Sequence, residues 1–308
     1  MHVLITGGAG FIGSHLAFFY LNKKISVTVV DNLSTGFEEN IPSGAHFIRQ
    51  DITEAGWTSL LSKDIDYVIH LAAQSSGEIS FEDPLYDVRT NAVGTLELLK
   101  WSHENRIKKF IFASSMNVYG NVQDELIVEE SLTNPTSFYA VGKVASENYI
   151  KIFSELGLDS VVLRLFNVYG VGQNMENMKQ GMVSIYCAYV KKNEPVIVKG
   201  SEERFRDFVY IDDVVDAFNL ALESHLNFDI FNVCTGVRTT VKEVLDKIFK
   251  SFSYSEYPYE LQSGTPRDQF GIYGSYKKIN KALGWSPKHD LKVGLDKMVT
   301  WLRDKNKK

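Results

Sequence analysis

Hydrophobic positions in the first half of the chain form short β-branched runs that alternate with longer amphipathic stretches. The runs predict strands and the stretches predict helices, because side chains alternate along a strand and repeat about every 3.6 residues on a helix. Strands that alternate with helices pair in parallel, so the pattern predicts an α/β fold with a doubly wound parallel sheet. The predicted strands are His2–Thr6, Ile25–Val30, Ala45–Ile48, Tyr67–His70, Lys109–Ala113 and Ser160–Leu165, and the predicted long helices are Phe11–Leu21, Pro84–Glu104 and Tyr139–Glu155.

The pattern changes after residue 166. Polar stretches become irregular there, and the predicted elements that follow are shorter: Val196–Val198, Asp212–Glu223, Ile230–Val233 and Thr240–Phe252. We therefore expect a larger domain over residues 1–166 and a smaller α/β substrate domain over most of residues 167–308, with some segments returning to the first domain.

Composition narrows the function classes. Hydrophobic residues make up 44% and charged residues 23% of the 308, as in folded globular proteins. A net charge of −5 provides no basic surface for nucleic acid or an anionic membrane. Cys187 and Cys234 are too far apart in sequence to form a metal-ligand motif, so no metal is expected. Without a signal peptide or a membrane-spanning pattern, we expect a cytoplasmic protein that acts on small molecules.

A glycine-rich turn follows the first predicted strand and opens the first predicted helix. Gly7 can turn the chain with a positive φ, Gly10 lets the backbone approach a pyrophosphate, and Gly13 lets helix and strand pack closely. Phe11 and Ile12 lie between these glycines at the helix N-terminus, which faces the phosphates. In this context the glycines predict a dinucleotide site in a Rossmann-type sheet.

An acidic residue closes the second predicted strand. The Asp31 carboxylate can accept hydrogen bonds from the adenosine ribose and would repel a 2′-phosphate. Because Asn32 and no arginine follows it, the sequence favours NAD over NADP. A turn role for Asp31 is the alternative. Asp51 and Ile52 follow the third predicted strand, where they either flank the adenine or form a turn.

A tyrosine and a lysine share one face of a predicted helix. Tyr139 and Lys143 are four residues apart, which brings the phenol and the ammonium together. A nearby positive charge favours the phenolate, so Tyr139 can exchange a proton with an alcohol. Ser114 and Ser115 end a predicted strand, at the edge of the sheet where ligands bind.

Further motifs follow in order along the chain, and these are His70-Leu71-Ala72-Ala73, Asn91, Ser114–Gly120, Arg164–Asn167, Arg206–Asp213 and Gly264–Asp268. With the glycine turn and the Tyr139/Lys143 pair, they cover nearly the whole chain. The ordered set resembles the extended short-chain dehydrogenase/reductases, in their NAD-dependent sugar-nucleotide epimerase/dehydratase branch.

The resemblance implies a role for each matching residue. Tyr139 is the acid/base, Lys143 holds the nicotinamide ribose and tunes the phenol, and Ser115 hydrogen-bonds the reacting sugar oxygen. His70 is a packed structural histidine. The remaining residues implied to bind the cofactor are Leu71, Ala72, Ala73, Asn91 and Ser114, and those implied to bind the nucleotide sugar are Asn167, Val183, Lys199, Arg206, Arg267, Asp268 and Ile272.

The reaction is inferred from two positions. Family members that eliminate water carry acidic residues after the Ser/Thr, whereas this chain has Met116 and Asn117. The pattern is therefore similar to that of 4-epimerases, which work through a 4-keto sugar. The alternative is a 4-dehydrogenase or reductase that releases the keto sugar. A 4,6-dehydratase and a non-catalytic NAD-binding protein are the less favoured alternatives.

Three positions depart from the hexose-epimerase pattern. Lys199 replaces an aromatic residue that stacks on uracil, and Thr265 replaces an arginine, with Arg267 in place to contact phosphate. UDP is preferred and GDP is the alternative. Ile272 replaces a large tyrosine that closes the sugar pocket, which favours an N-acetylated sugar. The resemblance also implies a homodimer, formed through the helices Pro84–Glu104 and Tyr139–Glu155, and a role in polysaccharide biosynthesis.

Overall fold

The structure is a computed structural model that describes residues 1–122, 125–264 and 269–305. Its strands, in chain order, are β1 (His2–Thr6), β2 (Ser26–Asp31), β3 (His46–Arg49), β4 (Tyr67–His70), β5 (Lys109–Ser115), β6 (Leu126–Ile127), β7 (Ser160–Leu165), β8 (Asn167–Tyr169), β9 (Val196–Lys199), β10 (Phe205–Arg206), β11 (Phe208–Tyr210), β12 (Phe228–Val233), β13 (Thr239–Thr240), β14 (Tyr259–Gln262) and β15 (Tyr273–Gly274). Its α-helices are α1 (Phe11–Asn22), α2 (Pro84–Val88), α3 (Thr95–Glu104), α4 (Phe138–Glu155), α5 (Met182–Lys191), α6 (Ile211–Glu223), α7 (Val241–Ser251), α8 (Lys277–Leu283) and α9 (Leu291–Lys305).

The main sheet has the order β12-β7-β5-β4-β1-β2-β3. Strand β1 pairs in parallel with β2 on one side and β4 on the other, so that Thr6 lies between Val30 and His70. The chain therefore runs outward from β1 to β3 and then crosses back to β4. This reversal creates a crevice at the carboxyl ends of β1 and β4. The predicted doubly wound parallel sheet is confirmed.

Burial explains why the strand pattern is readable in the sequence. In β1 the side chains from Val3 to Thr6 are buried, and all seven residues of β5 are buried. A parallel sheet that is covered by helices on both faces needs apolar residues at consecutive positions. Leu4, Val68, Phe110 and Val162 come from four such strands and meet in one hydrophobic cluster.

The helix predicted over Pro84–Glu104 is divided in the structure. Helix α2 ends at Val88, a π-helical turn spans Arg89–Gly94, and α3 begins at Thr95. Because a π turn holds an extra residue, it changes the hydrogen bonding of the backbone carbonyls within it. The carbonyl oxygen of Asn91 accepts hydrogen bonds from two side-chain hydroxyls, those of Thr95 at 2.9 Å and Ser146 at 2.6 Å.

The chain forms two compact units. Within the described ranges, the first comprises residues 1–120, 132–164 and 215–231, and the second comprises residues 121–131, 165–214 and 232–308. The second unit contains short strand pairs, of which β8/β11, β9/β14 and β6/β15 are parallel and β10/β13 is antiparallel. No helix in the described part of the chain is long and apolar enough to span a membrane.

A buried histidine connects the central strands to the helix beside them. The Thr95 hydroxyl donates to Asn91, so it must accept from His70 Nε2–H, at 2.9 Å. His70 Nδ1 then accepts from the Thr6 hydroxyl at 2.6 Å, and the Thr6 oxygen accepts from the Ala72 N–H at 3.2 Å. Burial, together with the Lys143 ammonium, lowers the pKa of His70 to about 3, so the ring stays neutral. The structural role predicted for His70 is confirmed.

This neutral histidine makes the folded chain sensitive to acid. The pKa of His70 is about 3 when folded and 6.5 unperturbed, so the unfolded chain binds the extra proton between these values. The stabilisation that comes from the neutral ring is therefore complete well above pH 6.5 and is lost as the pH falls, with a slope that approaches about 1.4 kcal/mol per pH unit below about pH 6. Urea unfolding at pH 7, 6 and 5 should show this steepening loss in the native chain and its absence in His70→Asn. The exposed His103→Asn is the control, and equal slopes in all three proteins would contradict the prediction.

Candidate active site

The glycine turn brings three backbone segments together. Gly7 has a φ of 73°, and a Cβ placed on it would lie 2.7 Å from the Ala72 nitrogen. A Cβ on Gly13 would lie 2.2 Å from the Gly7 oxygen, so helix α1 can pack here only on glycine. Gly10 precedes the helix and makes no side-chain cap. The first amides of α1 are therefore available to an anion, as a dinucleotide pyrophosphate requires.

Asp31 connects this turn to the end of β2. Its carboxylate accepts from the Ala9 N–H at 3.0 Å and from the Leu33 N–H at 2.8 Å. Leu33 has a φ of 58°, a strained value for leucine that the Asp31 bond stabilises. Asp31 therefore has both roles: it stabilises the turn at Leu33 and it hydrogen-bonds the glycine-rich turn at Ala9. Two carboxylate oxygens can accept about four hydrogen bonds, so capacity remains for ribose hydroxyls.

The residues that follow β2 and β3 are also linked. Asn32 Nδ2 donates to Asp51 at 2.8 Å, and the other Asp51 oxygen accepts from the Thr53 N–H at 2.8 Å. Partial burial raises the pKa of Asp51, but these hydrogen bonds outweigh it and hold the pKa below its usual value. The turn alternative for Asp51 is thus present in the structure. Ile52 is buried, with its carbonyl 2.9 Å from the position of a Cβ on Gly94.

Helix α4 places Tyr139 and Lys143 against the end of β5. The helix begins after Ser137, whose hydroxyl accepts from the Ala140 N–H and caps it. Lys143 Nζ donates to the Ala113 carbonyl at 2.9 Å and lies 5.7 Å from the centroid of the Tyr139 ring. The Ser115 hydroxyl hydrogen-bonds the Tyr139 hydroxyl. The structure thus brings the three predicted catalytic residues together in the first unit.

Burial controls the protonation of this group. It raises the pKa of Tyr139 to about 12, with Asp87 acting in the same direction and Ser115 against it. Burial lowers the pKa of Lys143 to about 8, whereas Asp87 and Glu147 raise it. Added positive charge beside Tyr139 would favour its phenolate. Burial thus favours the neutral phenol of Tyr139, and a cationic group bound beside it would favour the phenolate.

A buried ion pair between Glu147 and Arg164 lies next to the site, and the sequence motifs alone do not predict this pair. The Glu147 carboxylate accepts from Arg164 Nε at 2.9 Å and from its terminal nitrogen at 2.7 Å. It also accepts from the Ser114 hydroxyl at 2.5 Å, and Arg164 donates to the Tyr119 oxygen at 2.9 Å. Ser114 thus directs its hydroxyl to Glu147. The sequence feature that could have identified Glu147 is its spacing: it follows Lys143 by four residues and so lies on the same helix face.

The other predicted cofactor residues lie after β4 and in the π turn. Leu71 N–H donates to the Thr6 carbonyl at 3.1 Å, and the half-buried Leu71, Ala72 and Ala73 border the glycine turn. Asn91 is buried, and its side-chain amide donates to the Gln74 carbonyl at 3.0 Å. The backbone of this segment is therefore held in place for a ligand in the crevice.

The predicted sugar-nucleotide residues belong to the second unit. Arg206 is buried, and it donates to the carbonyls of Phe205 at 2.8 Å, Gln269 at 2.8 Å and Phe270 at 3.2 Å. Asn167 donates to the Asp207 carbonyl at 3.1 Å. The other predicted positions are Ile272 and Val183, both buried, Lys199, which is exposed, and Arg267 and Asp268, which lie outside the described residues. Their roles toward a ligand stay predictions.

Asp207 organises this part of the second unit and was not among the predicted residues. Its carboxylate accepts from the Thr235 N–H at 2.8 Å, the Thr235 hydroxyl at 2.6 Å, the Gly236 N–H at 2.8 Å and the Gly274 N–H at 3.3 Å. Burial raises its pKa, and these donors oppose that effect. Asp207 thus connects β10, the chain after β12 and β15.

The fold and the site define an enzyme of the dinucleotide-binding α/β class. The side-chain-free cradle at Gly7 and Gly10, with Asp31 beside it, fits a nicotinamide dinucleotide. A model of the NAD dependent epimerase/dehydratase family matches residues 3–234. The chain belongs to this family, is an enzyme and uses NAD, which confirms the family resemblance and the cofactor prediction.

Three known proteins show how close the similarity is. The chain is 37% identical to Thermotoga maritima UDP-glucose 4-epimerase, crystallised with UDP-glucose, with a TM-score of 0.94 over 99% of this chain and 100% of that one. It is 33% identical to Mycolicibacterium smegmatis UDP-glucose 4-epimerase over 99% of this chain and 100% of that protein. It is 31% identical to Methanobrevibacter ruminantium UDP-N-acetylglucosamine 4-epimerase, crystallised with UDP-N-acetylmuramic acid, with a TM-score of 0.93 over 99% and 98% of the two chains.

The buried ion pair provides a stability test. Glu147→Leu leaves the Arg164 guanidinium buried without its carboxylate, so we expect a loss of about 3–5 kcal/mol in urea unfolding. Combining it with Arg164→Met removes both charges and should recover much of that loss. Asp246→Ala breaks a half-exposed pair with Lys242 and serves as the control, with a loss below about 1 kcal/mol. A double variant that is less stable than Glu147→Leu would contradict this interpretation.

Proposed function

We propose that this protein is a nucleotide-sugar 4-epimerase that acts through a 4-keto sugar. The observation that carries the proposal is the grouping of Tyr139, Ser115 and Lys143 at the carboxyl edge of the sheet. The group offers one proton-transfer residue with a hydrogen-bonding partner and a cation, which suits reversible oxidation of an alcohol. The similarity to enzymes named as 4-epimerases supports the same reaction.

In the proposed mechanism, Tyr139 removes the proton from the sugar 4-hydroxyl and later returns it. Ser115 hydrogen-bonds the same sugar oxygen and keeps it next to the phenol. Lys143 would hold the nicotinamide ribose of a bound NAD and would stabilise the phenolate; each unit by which it lowers the pKa of Tyr139 increases the phenolate about tenfold. A bound NAD would supply reversible hydride transfer at C4. Because the nucleotide stays tightly bound, the keto sugar can rotate within the site without dissociating from the enzyme.

The residues after Ser115 favour epimerisation over dehydration. Elimination of water needs an additional acid and base beside the sugar. The thioether of Met116 and the side-chain amide of Asn117 do not titrate, so neither position supplies an acid or a base. A 4-dehydrogenase would use the same three residues and differs in releasing the keto sugar, so the product distinguishes it.

For the substrate we propose a UDP-hexose or a UDP-N-acetylhexosamine. The relatives named above that were crystallised with ligands held UDP-linked sugars. Ile272 is smaller than tyrosine, which favours the N-acetylated sugar, whereas Lys199 offers no ring to stack on uracil and keeps GDP as the alternative base. Such a reaction fits the cytoplasm and the supply of precursors for polysaccharide biosynthesis.

We also propose a homodimer. Helix α2, the π turn and α3 expose Leu85, Val88, Val93 and Leu96, whose side chains are 39–68% accessible. The neighbouring helix α4 exposes apolar residues too, and these are Phe138, Val141 and Ile152. Exposed apolar residues on neighbouring helices are typical of an interface. With α2, the π turn and α3 taken as one helical stretch beside α4, a second copy would complete a four-helix bundle.

The reaction is tested by adding NAD and a panel of UDP- and GDP-sugars, beginning with UDP-N-acetylglucosamine and UDP-glucose. Proton NMR of the anomeric signals should show a 4-epimer without net NADH. Tyr139→Phe should lower turnover by about three orders of magnitude and retain NAD binding, because it removes the proton-transfer group alone. A keto sugar with stoichiometric NADH would replace the epimerase with the 4-dehydrogenase, and near-native turnover in Tyr139→Phe would overturn its role.

The homodimer is tested by light scattering after size exclusion. Leu85→Glu together with Val141→Glu places charges in the apolar face, so we expect the mass to fall from two chains to one. Leu261→Glu, at an exposed leucine in β14 of the second unit, should leave the dimer intact. A native chain that runs as a monomer at micromolar concentration would refute the dimer.

A further inference from the structure

A buried carboxylate beside Lys143 is not used in the mechanism above. Asp87 lies in helix α2 with no accessible surface, and it accepts a hydrogen bond from Gln74 Nε2 at 2.9 Å. Its other oxygen is 3.6 Å from the position that a Cβ would take on Gly142, the residue next to Lys143. Because Gly142 has no side chain, α2 and α4 approach closely at this point.

The surroundings of Asp87 leave Lys143 as its cation. Gln74, which follows β4, donates to the carboxylate, and the neutral amide of Asn91 in the π turn also favours its ionised form. From α4, the titratable groups that interact with it are Lys143 and Tyr139. The other charged side chains on the adjoining segments are exposed to solvent, and these are Glu78, Glu82, Asp83 and Arg89. An ionised Asp87 therefore acts mainly on Lys143 and Tyr139.

The second carboxylate near Lys143 has a partner of its own. Glu147 forms a buried ion pair with Arg164, with 2.7 Å between nitrogen and oxygen. The positive charge of Arg164 opposes the effect of Glu147 on its surroundings. Asp87 has no such ion-pair partner, and of the two carboxylates it has the larger effect on the pKa of Lys143.

We propose that Asp87 is a positioning residue of the active site, whose ionised carboxylate beside Gly142 keeps Lys143 protonated so that Lys143 can stabilise the Tyr139 phenolate. This inference rests on the proposed function for its effect on turnover. Its effect on Lys143 is a property of the folded chain and can be measured without any sugar.

The sign of the effect follows from two opposing influences. Asp87 raises the pKa of Lys143, which burial has lowered to about 8, and it also raises the pKa of Tyr139 directly. Without Asp87, Lys143 loses its proton close to neutral pH. Lys143 Nζ lies 5.7 Å from the centroid of the Tyr139 ring, so we expect the loss of its positive charge to disfavour the phenolate more than the removal of the Asp87 charge favours it. Replacing Asp87 by a neutral residue should therefore leave turnover nearly unchanged at acidic pH and lower it at basic pH.

The direct test uses Asp87→Asn, which keeps the shape of the side chain and removes its charge. In protein labelled with 13C at the lysine ε-carbon, the Lys143 signal is assigned by its absence in Lys143→Arg. We expect its titration midpoint to fall by about one pH unit in Asp87→Asn and to stay unchanged in Asp87→Glu. Glu155→Gln removes an exposed carboxylate from the same helix α4 and is the matched control. Equal midpoints in the native chain and Asp87→Asn would overturn the proposal.

The kinetic test follows turnover from pH 6 to 9, with the sugar that the NMR panel identifies. A fall of about one unit in the Lys143 midpoint gives near-native turnover at pH 6.5 and about a tenfold loss at pH 8.5. A structural role would instead lower turnover equally at every pH, which would contradict the proposal. If Asp87→Asn does not fold, Asp87→Ser provides a smaller neutral replacement for both tests. If no sugar turns over, the proposed function fails, and the Lys143 titration still decides the role of Asp87.

Discussion

The close approach of three backbones at Gly7 is the constraint on which the site depends. The end of β1, the start of α1 and the chain after β4 meet there, with a Cβ on Gly7 only 2.7 Å from the Ala72 nitrogen. A side chain would separate these segments and move the helix N-terminus away from the crevice. The hydrogen bonds of His70 to Thr6 and Thr95 then hold β1 and β4 against α3, so the cradle for the dinucleotide is set by packing before any ligand binds.

Close packing around this cradle also limits where charged side chains can lie. Burial makes an unpaired charge costly, so each buried ion near the reacting tyrosine needs a compensating partner. Glu147 forms a buried ion pair with Arg164, and the charge of Asp87 interacts with that of Lys143 across the contact between α2 and α4. The electrostatic environment of Tyr139 thus depends on residues of neighbouring elements, and their influence is strong because the group is buried.

Local patterns predicted most of the elements but not all of their geometry. Strands β1, β4 and β7 coincide with the predicted ranges, because buried parallel strands consist of continuous apolar runs. The π turn within residues 84–104 was not predicted, since hydrophobic periodicity indicates a helical stretch but not whether its backbone hydrogen bonds span four residues or five. The Asn91 carbonyl lies in that turn, where it accepts hydrogen bonds from the hydroxyls of Thr95 and Ser146. These two bonds were therefore seen only in the folded structure.

Features that depend on a short stretch of backbone could be predicted from the residues alone. The glycines of the first turn require special φ values or close contacts, and the spacing of Tyr139 and Lys143 places both on one helix face. Contacts between residues far apart in the chain emerged from the fold, such as those of Asp31 with Ala9, Glu147 with Arg164, or Asp87 with Gly142. The physical reason is range: helix and strand periodicity is set by neighbouring residues, whereas contacts across the sheet depend on strand order and on the burial that this order creates.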